Sequence, residues 1–268
     1  MKQFPKMKAT ESQPSKINYQ RLYDEHAHYA ARRVDNSFEH QHISLEVRDF
    51  KAPHLAALLP QNLKIRSLLE IGCGTGELIA QFPLEKSAIR TGCDISPENI
   101  ATARRRYPTV KFHTGDFRQL IQNDFDAIIL SDILEHVEDD TAFLRDASLL
   151  GKCILVNLPL ECNWLNNRRN YGPNDVSGHL RRYTLAEGLA LFERANLRLI
   201  RWQQVWIHEL PVEKKRRILR QKMLGQAYSG NVITQWAKAA TDKVATAVPL
   251  FGRRLHSSTL FAAAESVS

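Results

Sequence analysis

Two carboxylates and an imidazole lie in the five-residue segment DILEH, at positions 132–136. Asp132, Glu135 and His136 have the spacing i, i+3, i+4, which places side chains on one side of a helical turn. A second imidazole, His179, follows in a polar loop further along the chain. Carboxylate and imidazole groups together form ligand sets for Mg²⁺, Mn²⁺ or Fe²⁺.

Three interpretations of these residues are open. They form a divalent-metal site; or His136 or His179 acts as a general base without a metal; or Glu135 and His136 only brace a neighbouring loop. His179 is expected in a loop on the carboxyl side of the sheet, where ligands of open α/β sheets bind, so we expect two carboxylates and two imidazoles to meet there.

A glycine-rich turn, LEIGCGTGE at 69–77, follows the first apolar run. Glycine lets the backbone turn sharply and approach a ligand closely. The glycines from Gly72 to Gly76 have the spacing G-x-G-x-G, whereas a dinucleotide fingerprint needs its third glycine at the position of Glu77. Glu70 precedes the turn, and its carboxylate opposes a pyrophosphate but suits a cationic amino group. The pattern disfavours a dinucleotide dehydrogenase.

Acidic residues end the apolar runs that follow. Asp94 ends the second run, Gly115-Asp116-Phe117 the third and Ser131-Asp132 the fourth. With the glycine turn, these residues resemble the motifs of class I S-adenosylmethionine (SAM) methyltransferases, over about residues 60–206. The resemblance implies SAM as the cofactor, bound by Glu70, Gly72, Cys73, Gly74, Gly76, Asp94, Ile95, Asp116, Phe117, Ser131 and Asp132.

The same resemblance implies a role for several of these side chains. The family's acid at the position of Asp94 accepts hydrogen bonds from both ribose hydroxyls, a task suited to a carboxylate. Asp116 would pair with the adenine amino group, and Phe117 would offer a backbone amide or a ring face. Ser131 and Asp132 would lie under the methionine part of SAM.

The 132–136 turn resembles two groups within that class, the ubiquinone-pathway catechol O-methyltransferases and the small-RNA terminal 2′-O-methyltransferases. Both use an E-x-x-E-H turn and a later histidine to hold a divalent metal, which binds vicinal oxygens and lowers the pKa of the attacking hydroxyl. Asp132, with its shorter side chain, stands where these groups have the first glutamate. The resemblance implies that Mg²⁺, Mn²⁺ or Fe²⁺ is held by Asp132, Glu135, His136 and His179.

The elements that must position these residues alternate between apolar runs and helical patterns. Strands are predicted at 64–72, 87–96, 110–117, 125–132, 151–160, 197–206 and 257–266. The alternation predicts an α/β fold with a parallel, doubly wound, Rossmann-like seven-stranded sheet. N-terminal helices and a helical insertion before the last strand complete the predicted fold.

Four segments are predicted along the chain. Residues 1–60 form an N-terminal lead and helical cap, and residues 61–206 form the SAM-binding core. Residues 207–256 form a basic helical insertion, and residues 257–268 contain the last core strand and the C-terminus.

The loop at 161–184 is long and rich in Asn, Arg, Gly and aromatic residues, and such loops are usually functional or mobile. We expect a substrate lid in which arginines bind a carboxylate or phosphate; the alternative is that these arginines are solvated surface. The side chains expected to face the acceptor are Trp164, Arg168, Arg169, Tyr171, Arg181 and Tyr183. A second group either caps the same pocket or forms a packing face: Tyr19, Tyr23, His26, His28 and Tyr29.

Composition and charge limit the classes of protein. The 268 residues are 43% hydrophobic and 25% charged, which excludes collagen-like and wholly disordered chains. The net charge of +8 is concentrated after residue 200, where eleven Lys or Arg residues accompany four Asp or Glu, an excess of seven. The basic run at 214–222 is interpreted as a solvated lid helix, as a contact for an anionic membrane surface or phosphate-bearing substrate, or as an RNA contact. Nucleic acid is disfavoured because the run contains no aromatic residue.

The same sequence predicts the location. No apolar run approaches the roughly 20 residues of a membrane-spanning helix, and the N-terminal segment is basic and polar. The four cysteines are scattered, which predicts free thiols in a reducing compartment. We expect a cytoplasmic protein, peripheral at the membrane if the basic run binds lipid.

These observations predict a SAM-dependent methyltransferase. The expected acceptor is a hydroxyl of a small or medium-sized molecule, such as a sugar, a phenol or quinone-like compound, or a secondary metabolite. The alternatives are N-methylation of an amine, an anionic lipid-linked or RNA acceptor, and a protein that binds SAM without turnover. The oligomeric state is not predicted.

Overall fold

A seven-stranded sheet runs through the part of the chain that the computed structural model describes. That part comprises residues 18–211 except 121–123, 165, 168, 173–174 and 176, and then 213–214, 217–218, 240, 243–244 and 247–267. The strands are β1 (Ser67–Ile71), β2 (Ile89–Asp94), β3 (Lys111–Thr114), β4 (Ala127–Ser131), β5 (Ile154–Leu160), β6 (Leu197–Val205) and β7 (Ser258–Ser266). Their order across the sheet is β3-β2-β1-β4-β5-β7-β6. The prediction of a seven-stranded α/β sheet is confirmed.

The last strand differs from the prediction of a parallel sheet. The strands from β3 to β5 pair in parallel, whereas β7 is antiparallel to both β5 and β6. Val205 at the end of β6 pairs with Thr259 at the start of β7. The segment between β6 and β7 therefore begins and ends at the same end of these two strands. For that reason β7 runs antiparallel to β6.

The central strands are buried on both faces. In β4, Ile128 and Leu130 belong to one hydrophobic cluster, and Ala127 and Ile129 belong to another. Successive side chains of a strand point to opposite faces, so the two clusters lie on the two sides of the sheet. An apolar run without polar alternation is typical of such a doubly covered strand.

Helices cover both faces. They are α1 (Tyr19–Glu25), α2 (Ala27–Arg33), α3 (Phe38–Glu46), α4 (Ala52–Ala57), α5 (Glu77–Gln81), α6 (Pro97–Arg106), α7 (Phe117–Leu120), α8 (Asp140–Ser148), α9 (Leu185–Arg194) and α10 (Pro249–Leu255). A π-helical turn, Val47–Lys51, joins α3 to α4. The ends follow local chemistry: the Ser96 hydroxyl accepts a hydrogen bond from the Asn99 amide at the start of α6, and Thr184 forms a capping box with Glu187 at the start of α9.

The predicted basic helix at 214–222 lies outside the described residues except at 214, 217 and 218. There, Arg217 forms an ion pair with Asp49 at 3.2 Å, and Ile218 is buried. The predicted lead before residue 17 also lies outside the described part. Among the described helices, none has the length and apolar character needed to cross a membrane.

Candidate active site

The glycine turn folds back against β2 directly after β1. The amides of Gly72 and Cys73 both donate to the Cys93 carbonyl, at 2.7 and 3.1 Å. Gly72 has a φ of 75°, and a Cβ added there would lie 2.5 Å from Cδ1 of Ile133. Gly74 has a φ of 53°, but a Cβ there would meet nothing within 4 Å. The turn therefore packs tightly on one side and is open on the other.

Asp94 ends β2 beside this turn, and its carboxylate is bound by backbone. Its Oδ2 accepts from the Gly74 amide and its Oδ1 from the Ser96 amide, both at 2.8 Å. Burial raises the pKa of Asp94, while these amide hydrogen bonds act to lower it. A carboxylate has about four lone-pair sites, so each oxygen keeps the capacity to accept a further hydrogen bond.

Glu70 lies at the end of β1 and also lines the cavity described below. Its Oε2 accepts from the Ile79 amide in α5 at 2.8 Å, and burial raises its pKa well above the usual value. The side chain therefore ties β1 to α5, and its pairing with a cationic amino group stays a prediction.

Phe117 and Ser131 occupy the neighbouring strand ends. The Phe117 ring is buried and packs edge-on against Phe143, at a centroid distance of 5.1 Å, so its backbone rather than its ring face is left for a ligand. Asp116 accepts a hydrogen bond from the Arg118 amide at 3.0 Å. The Ser131 hydroxyl accepts from the Asn157 amide group at 2.8 Å.

One cavity of about 930 Å³ joins these elements. Every residue predicted to bind the cofactor lines it except Gly76. A Cβ at Gly76 would lie 2.9 Å from the Phe112 ring and 3.2 Å from the Ala103 Cβ, so this glycine allows α5 and α6 to pack instead. The same cavity is lined by Glu135, His136 and His179.

Glu135, His136 and His179 converge at the other end of the cavity. One potential ligand atom from each lies within 4.8 Å of the others. The two imidazole rings meet edge to face, with centroids 4.7 Å apart. The structure thus brings together three of the four side chains predicted to meet.

Glu135 has an unusual environment. It is only 1% exposed, and neither carboxylate oxygen has a hydrogen-bond partner among the described residues. Nε2 of His136 lies 3.8 Å from Oε1 of Glu135. Burial, together with the charge of Asp132, raises the pKa of Glu135 well above its usual value. A buried polar group without a partner costs free energy, and a bound cation or water would recover that cost.

Both histidines are held through Nδ1. His136 donates from Nδ1 to the Gly178 carbonyl at 3.1 Å, and His179 donates from Nδ1 to Oε2 of Glu161 at 2.8 Å. Each ring therefore keeps a lone pair on Nε2. Burial lowers the pKa of His136 to about 4, so this imidazole is neutral at pH 7. Two imidazoles held through Nδ1 and one unpartnered carboxylate are a donor set that fits a divalent transition metal.

Asp132 was predicted as the fourth metal ligand, and the structure places it differently. Its Oδ2 forms an ion pair with Nζ of Lys51 at 2.7 Å and accepts from the Asn157 amide group at 3.0 Å. It is absent from the group of converging ligand atoms. Its backbone has a φ of 51°, a strained conformation for a residue other than glycine. Lys51 neutralises Asp132, which leaves Glu135 as the carboxylate available to a cation.

The loop arginines predicted to bind the acceptor are engaged elsewhere. Arg169 pairs with Glu161 and Asp175, and Arg181 pairs with Asp140 at 2.8 Å. Tyr183 is buried and donates to the Leu134 carbonyl, so it does not face an acceptor. Arg168 lies outside the described residues, Trp164 is exposed, and Tyr171 lies near His179 with ring centroids 6.5 Å apart.

The N-terminal tyrosines do cover this end of the cavity. Tyr19 and Tyr23 lie with ring centroids 6.2 and 6.1 Å from that of His136. The hydroxyls of Tyr19 and Tyr29 donate to the carbonyls of Gly178 and Ser177, which joins α1 and α2 to the loop before His179. His26 lies outside the cavity lining, and nothing is described for the His28 side chain.

Sequence reasoning missed three residues of this end: Lys51, Glu161 and Asp175. Glu161 directly follows β5, so its place at a strand's carboxyl end was a signal of the kind that identified Asp94. Lys51 gave no signal, because only the π-helical turn and the fold carry it to Asp132.

Comparison with known proteins agrees with this architecture. Residues 68–150 match the family model described as a methyltransferase domain. Over 48 residues the chain is 44% identical to a demethylmenaquinone methyltransferase of Chlorobaculum parvum, a match covering 18% of this chain and 20% of that protein. The chain thus spans about a fifth of the length of the curated relatives it matches first.

Two solved structures share the fold over most of the chain. A SAM-dependent methyltransferase from Thiobacillus denitrificans, in complex with S-adenosylhomocysteine, has a TM-score of 0.52 at 16% identity and covers 94% of this chain and 99% of its own. The [4+2]-cyclase SpnF has a TM-score of 0.54 at 18% identity, covering 82% of each chain. The family match identifies a methyltransferase domain over residues 68–150, and the solved structures show that the surrounding chain shares the fold of a SAM-dependent methyltransferase. The resemblance identified from the glycine turn and the strand-end acids is therefore confirmed.

Proposed function

We propose that this protein transfers a methyl group from SAM to an oxygen of a small or medium-sized acceptor, such as a sugar, a phenol or quinone-like compound, or a secondary metabolite. The observation that carries the proposal is the shared cavity. Its one end contains the glycine turn and Asp94, and its other end contains Glu135, His136 and His179. A donor and an acceptor bound at these two ends would lie within one enclosure.

The first end supplies what SAM needs. Gly74 leaves open space beside the backbone, and Asp94 retains acceptor capacity on both oxygens for the two ribose hydroxyls. The sulfonium of SAM is already activated, so the protein must mainly align the nucleophile behind the methyl group. S-adenosylhomocysteine in the related structure from Thiobacillus denitrificans supports SAM as the cofactor here.

The second end would hold a divalent cation through Glu135, His136 and His179. The fit rests on the unpartnered Glu135 carboxylate and on two rings whose Nδ1 atoms are already engaged. When bound, Mn²⁺, Fe²⁺ or Mg²⁺ would act as a Lewis acid toward an acceptor oxygen and lower the pKa of its hydroxyl. The protein's own part is to orient the two imidazoles and to surround the acceptor with the Tyr19 and Tyr23 rings.

Mn²⁺ binding tests this assignment. Paramagnetic resonance would measure free Mn²⁺ in the presence of protein saturated with S-adenosylhomocysteine. We expect binding by the wild type, loss in the His136→Ala, His179→Ala double variant, and no loss in His113→Ala, which removes an imidazole outside the cavity lining. Absence of Mn²⁺ binding to the wild type would overturn the metal-assisted reaction.

A histidine base without a metal is the alternative mechanism for the same transfer. His179 hydrogen-bonded to Glu161 has the arrangement in which a carboxylate orients an imidazole for proton removal. Turnover that resists chelators and is lost in His179→Ala would favour this mechanism. Release of S-adenosylhomocysteine with any acceptor would also exclude a protein that only binds SAM.

N-methylation of an amine is a second candidate reaction. The tyrosine rings near His136 present aromatic faces, which attract cations, and Glu135 offers a carboxylate to an ammonium group. Parallel acceptor panels of vicinal hydroxyls and of amines, with the product identified by mass spectrometry, would separate the two reactions.

We also propose that the basic run at 214–222 binds an anionic partner. An anionic membrane surface or a phosphate-bearing acceptor would complement its charge, with nucleic acid less favoured. Flotation with anionic against neutral vesicles tests the first, and salt-dependent turnover with a phosphorylated acceptor tests the second. The four free cysteines support a reducing, cytoplasmic location.

A further inference from the structure

His179 is held on two sides by carboxylates that sequence reasoning did not identify. Oε2 of Glu161 accepts from Nδ1 of its ring at 2.8 Å, and Oδ1 of Asp175 accepts from its backbone amide at 3.0 Å. The first contact sets the ring and the second sets the main chain. Both the position and the rotation of the imidazole are therefore constrained.

Arg169 joins the two carboxylates. It donates from Nε and Nη2 to the two oxygens of Asp175, both at 2.7 Å, and from Nη1 to Oε1 of Glu161 at 3.0 Å. The planar guanidinium fork gives such paired contacts a fixed geometry. Asp175 also accepts from the Ser177 amide at 2.9 Å, so the same group orders the loop that precedes His179.

The contact with Glu161 determines which nitrogen of His179 faces the carboxylate. Oε1 of Glu161 accepts from Nη1 of Arg169 at 3.0 Å, and Oε2 lies 2.8 Å from Nδ1 of His179. A carboxylate paired with a guanidinium accepts hydrogen bonds. Nδ1 of His179 is therefore the donor, and Nε2 is the nitrogen turned away from Glu161.

We propose that Glu161 and Arg169 are positioning residues that fix the tautomer and orientation of His179, and that Arg169 does not bind the acceptor. This inference rests on the proposed role of His179 at the second end of the cavity. It assigns the two residues a task that acts through another side chain: the Nε2 lone pair is presented in one direction before any ligand arrives. Contacts of this kind typically contribute about 10- to 100-fold to metal affinity.

The tautomer can be measured directly in the ligand-free protein. Nitrogen-15 NMR of histidine-labelled protein, with the His179 signals assigned from the His179→Ala spectrum, distinguishes Nδ1–H from Nε2–H. We expect Nδ1–H in the wild type and in Glu161→Gln, whose amide oxygen still accepts from Nδ1. In Glu161→Ala the Nε2–H form should become populated. Glu193→Gln, which removes a charge from the exposed surface of α9, should match the wild type.

The second readout is Mn²⁺ affinity at saturating S-adenosylhomocysteine. We expect a loss of about 10- to 100-fold in Glu161→Ala, a smaller loss in Glu161→Gln and in Arg169→Gln, and none in Arg182→Gln. Affinity for S-adenosylhomocysteine should be unchanged in these four variants and in Glu193→Gln. Unchanged affinity would show that all five variants fold.

The outcomes separate this inference from the proposed function. A wild-type tautomer in Glu161→Ala would overturn the positioning role, whatever the metal result. If the wild type binds no Mn²⁺, the metal-assisted function fails, and the tautomer measurement alone decides the role of Glu161. Loss of acceptor affinity in Arg169→Gln with an unchanged Mn²⁺ affinity would return Arg169 to the acceptor site and overturn its assignment here.

Discussion

At one end of the cavity, Asp94 and Glu70 accept hydrogen bonds from backbone amides, whereas at the other end both oxygens of Glu135 lack a partner among the described residues. The two carboxylates of the first end therefore have hydrogen-bond partners within the protein. The second end contains a buried carboxylate beside two imidazoles that are fixed through Nδ1. The difference is that the carboxylates of the first end are satisfied by the protein itself, whereas Glu135 at the second end has capacity for a ligand.

The two ends also differ in where their residues come from. Gly72, Gly74 and Asp94 belong to two adjacent strands and their turns. The second end collects Lys51 from the π-helical turn, Glu161 from the end of β5, and tyrosines from α1 and α2. An end assembled from distant segments depends on correct packing of all of them.

The largest expected effect is on turnover at the second end. His179→Ala removes either a metal ligand or the base, so methyl transfer should fall by about 10²- to 10⁴-fold. SAM affinity should be unchanged because His179 does not contact the glycine turn or Asp94. Rates of S-adenosylhomocysteine release and calorimetric SAM binding measure the two effects. A variant with full turnover would remove His179 from the chemistry.

A substitution at the first end of the cavity should weaken SAM binding, whereas His179→Ala should leave it unchanged. Asp94→Ala removes an acceptor for both ribose hydroxyls and for the Gly74 and Ser96 amides. A charged hydrogen bond is worth about 1.5–3 kcal/mol, so SAM should bind about tenfold to a hundredfold more weakly for each ribose hydroxyl that loses its acceptor. Calorimetry against His179→Ala tests the separation of the ends, and unchanged SAM affinity in Asp94→Ala would contradict the cofactor register.

Two glycines in the turn allow a matched comparison of stability. Gly72→Ala and Gly74→Ala both place alanine at a positive φ, which costs about 1–2 kcal/mol. Gly72→Ala also places a Cβ 2.5 Å from Cδ1 of Ile133, so the end of that side chain must move, whereas the Cβ in Gly74→Ala meets open space. Thermal unfolding should therefore show the lower midpoint for Gly72→Ala. Equal midpoints would mean that the turn relaxes around the added carbon.

The smallest expected effect is an increase in the free energy of unfolding. Glu135→Gln removes a buried carboxylate without a partner, so the ligand-free protein should become more stable by about 1 kcal/mol. Glu193→Gln provides the control for a loss of charge at an exposed position. Thermal unfolding measures the midpoint, and Mn²⁺ binding should be weakened in the same Glu135→Gln sample. A lower midpoint would show that Glu135 already has stabilising contacts.

Much of the fold was predictable because local patterns specify it. Each of the seven strands lies within its predicted run, since a strand buried on both faces reads as a continuous apolar segment. The alternation of strands and helices along the chain did not predict the direction of β7. That direction depends on the end of the strands at which the chain re-enters the sheet after the insertion. Gly76 was assigned to the cofactor, although the space it provides is used by the Phe112 ring.

The sequence by itself determined the first end of the cavity: a glycine turn after one strand and an acid after the next meet wherever those strands pair in parallel. Only the tertiary structure decided the second end. The spacing of Asp132, Glu135 and His136 predicted three side chains on one helical turn, but the segment is not helical, since Asp132 has a φ of 51°, and only Glu135 and His136 converge with His179. Asp132 is neutralised instead by Lys51, which comes from a distant helix. An ion pair between residues far apart in the sequence forms only when the fold brings them together. The local sequence around Asp132 therefore could not predict it.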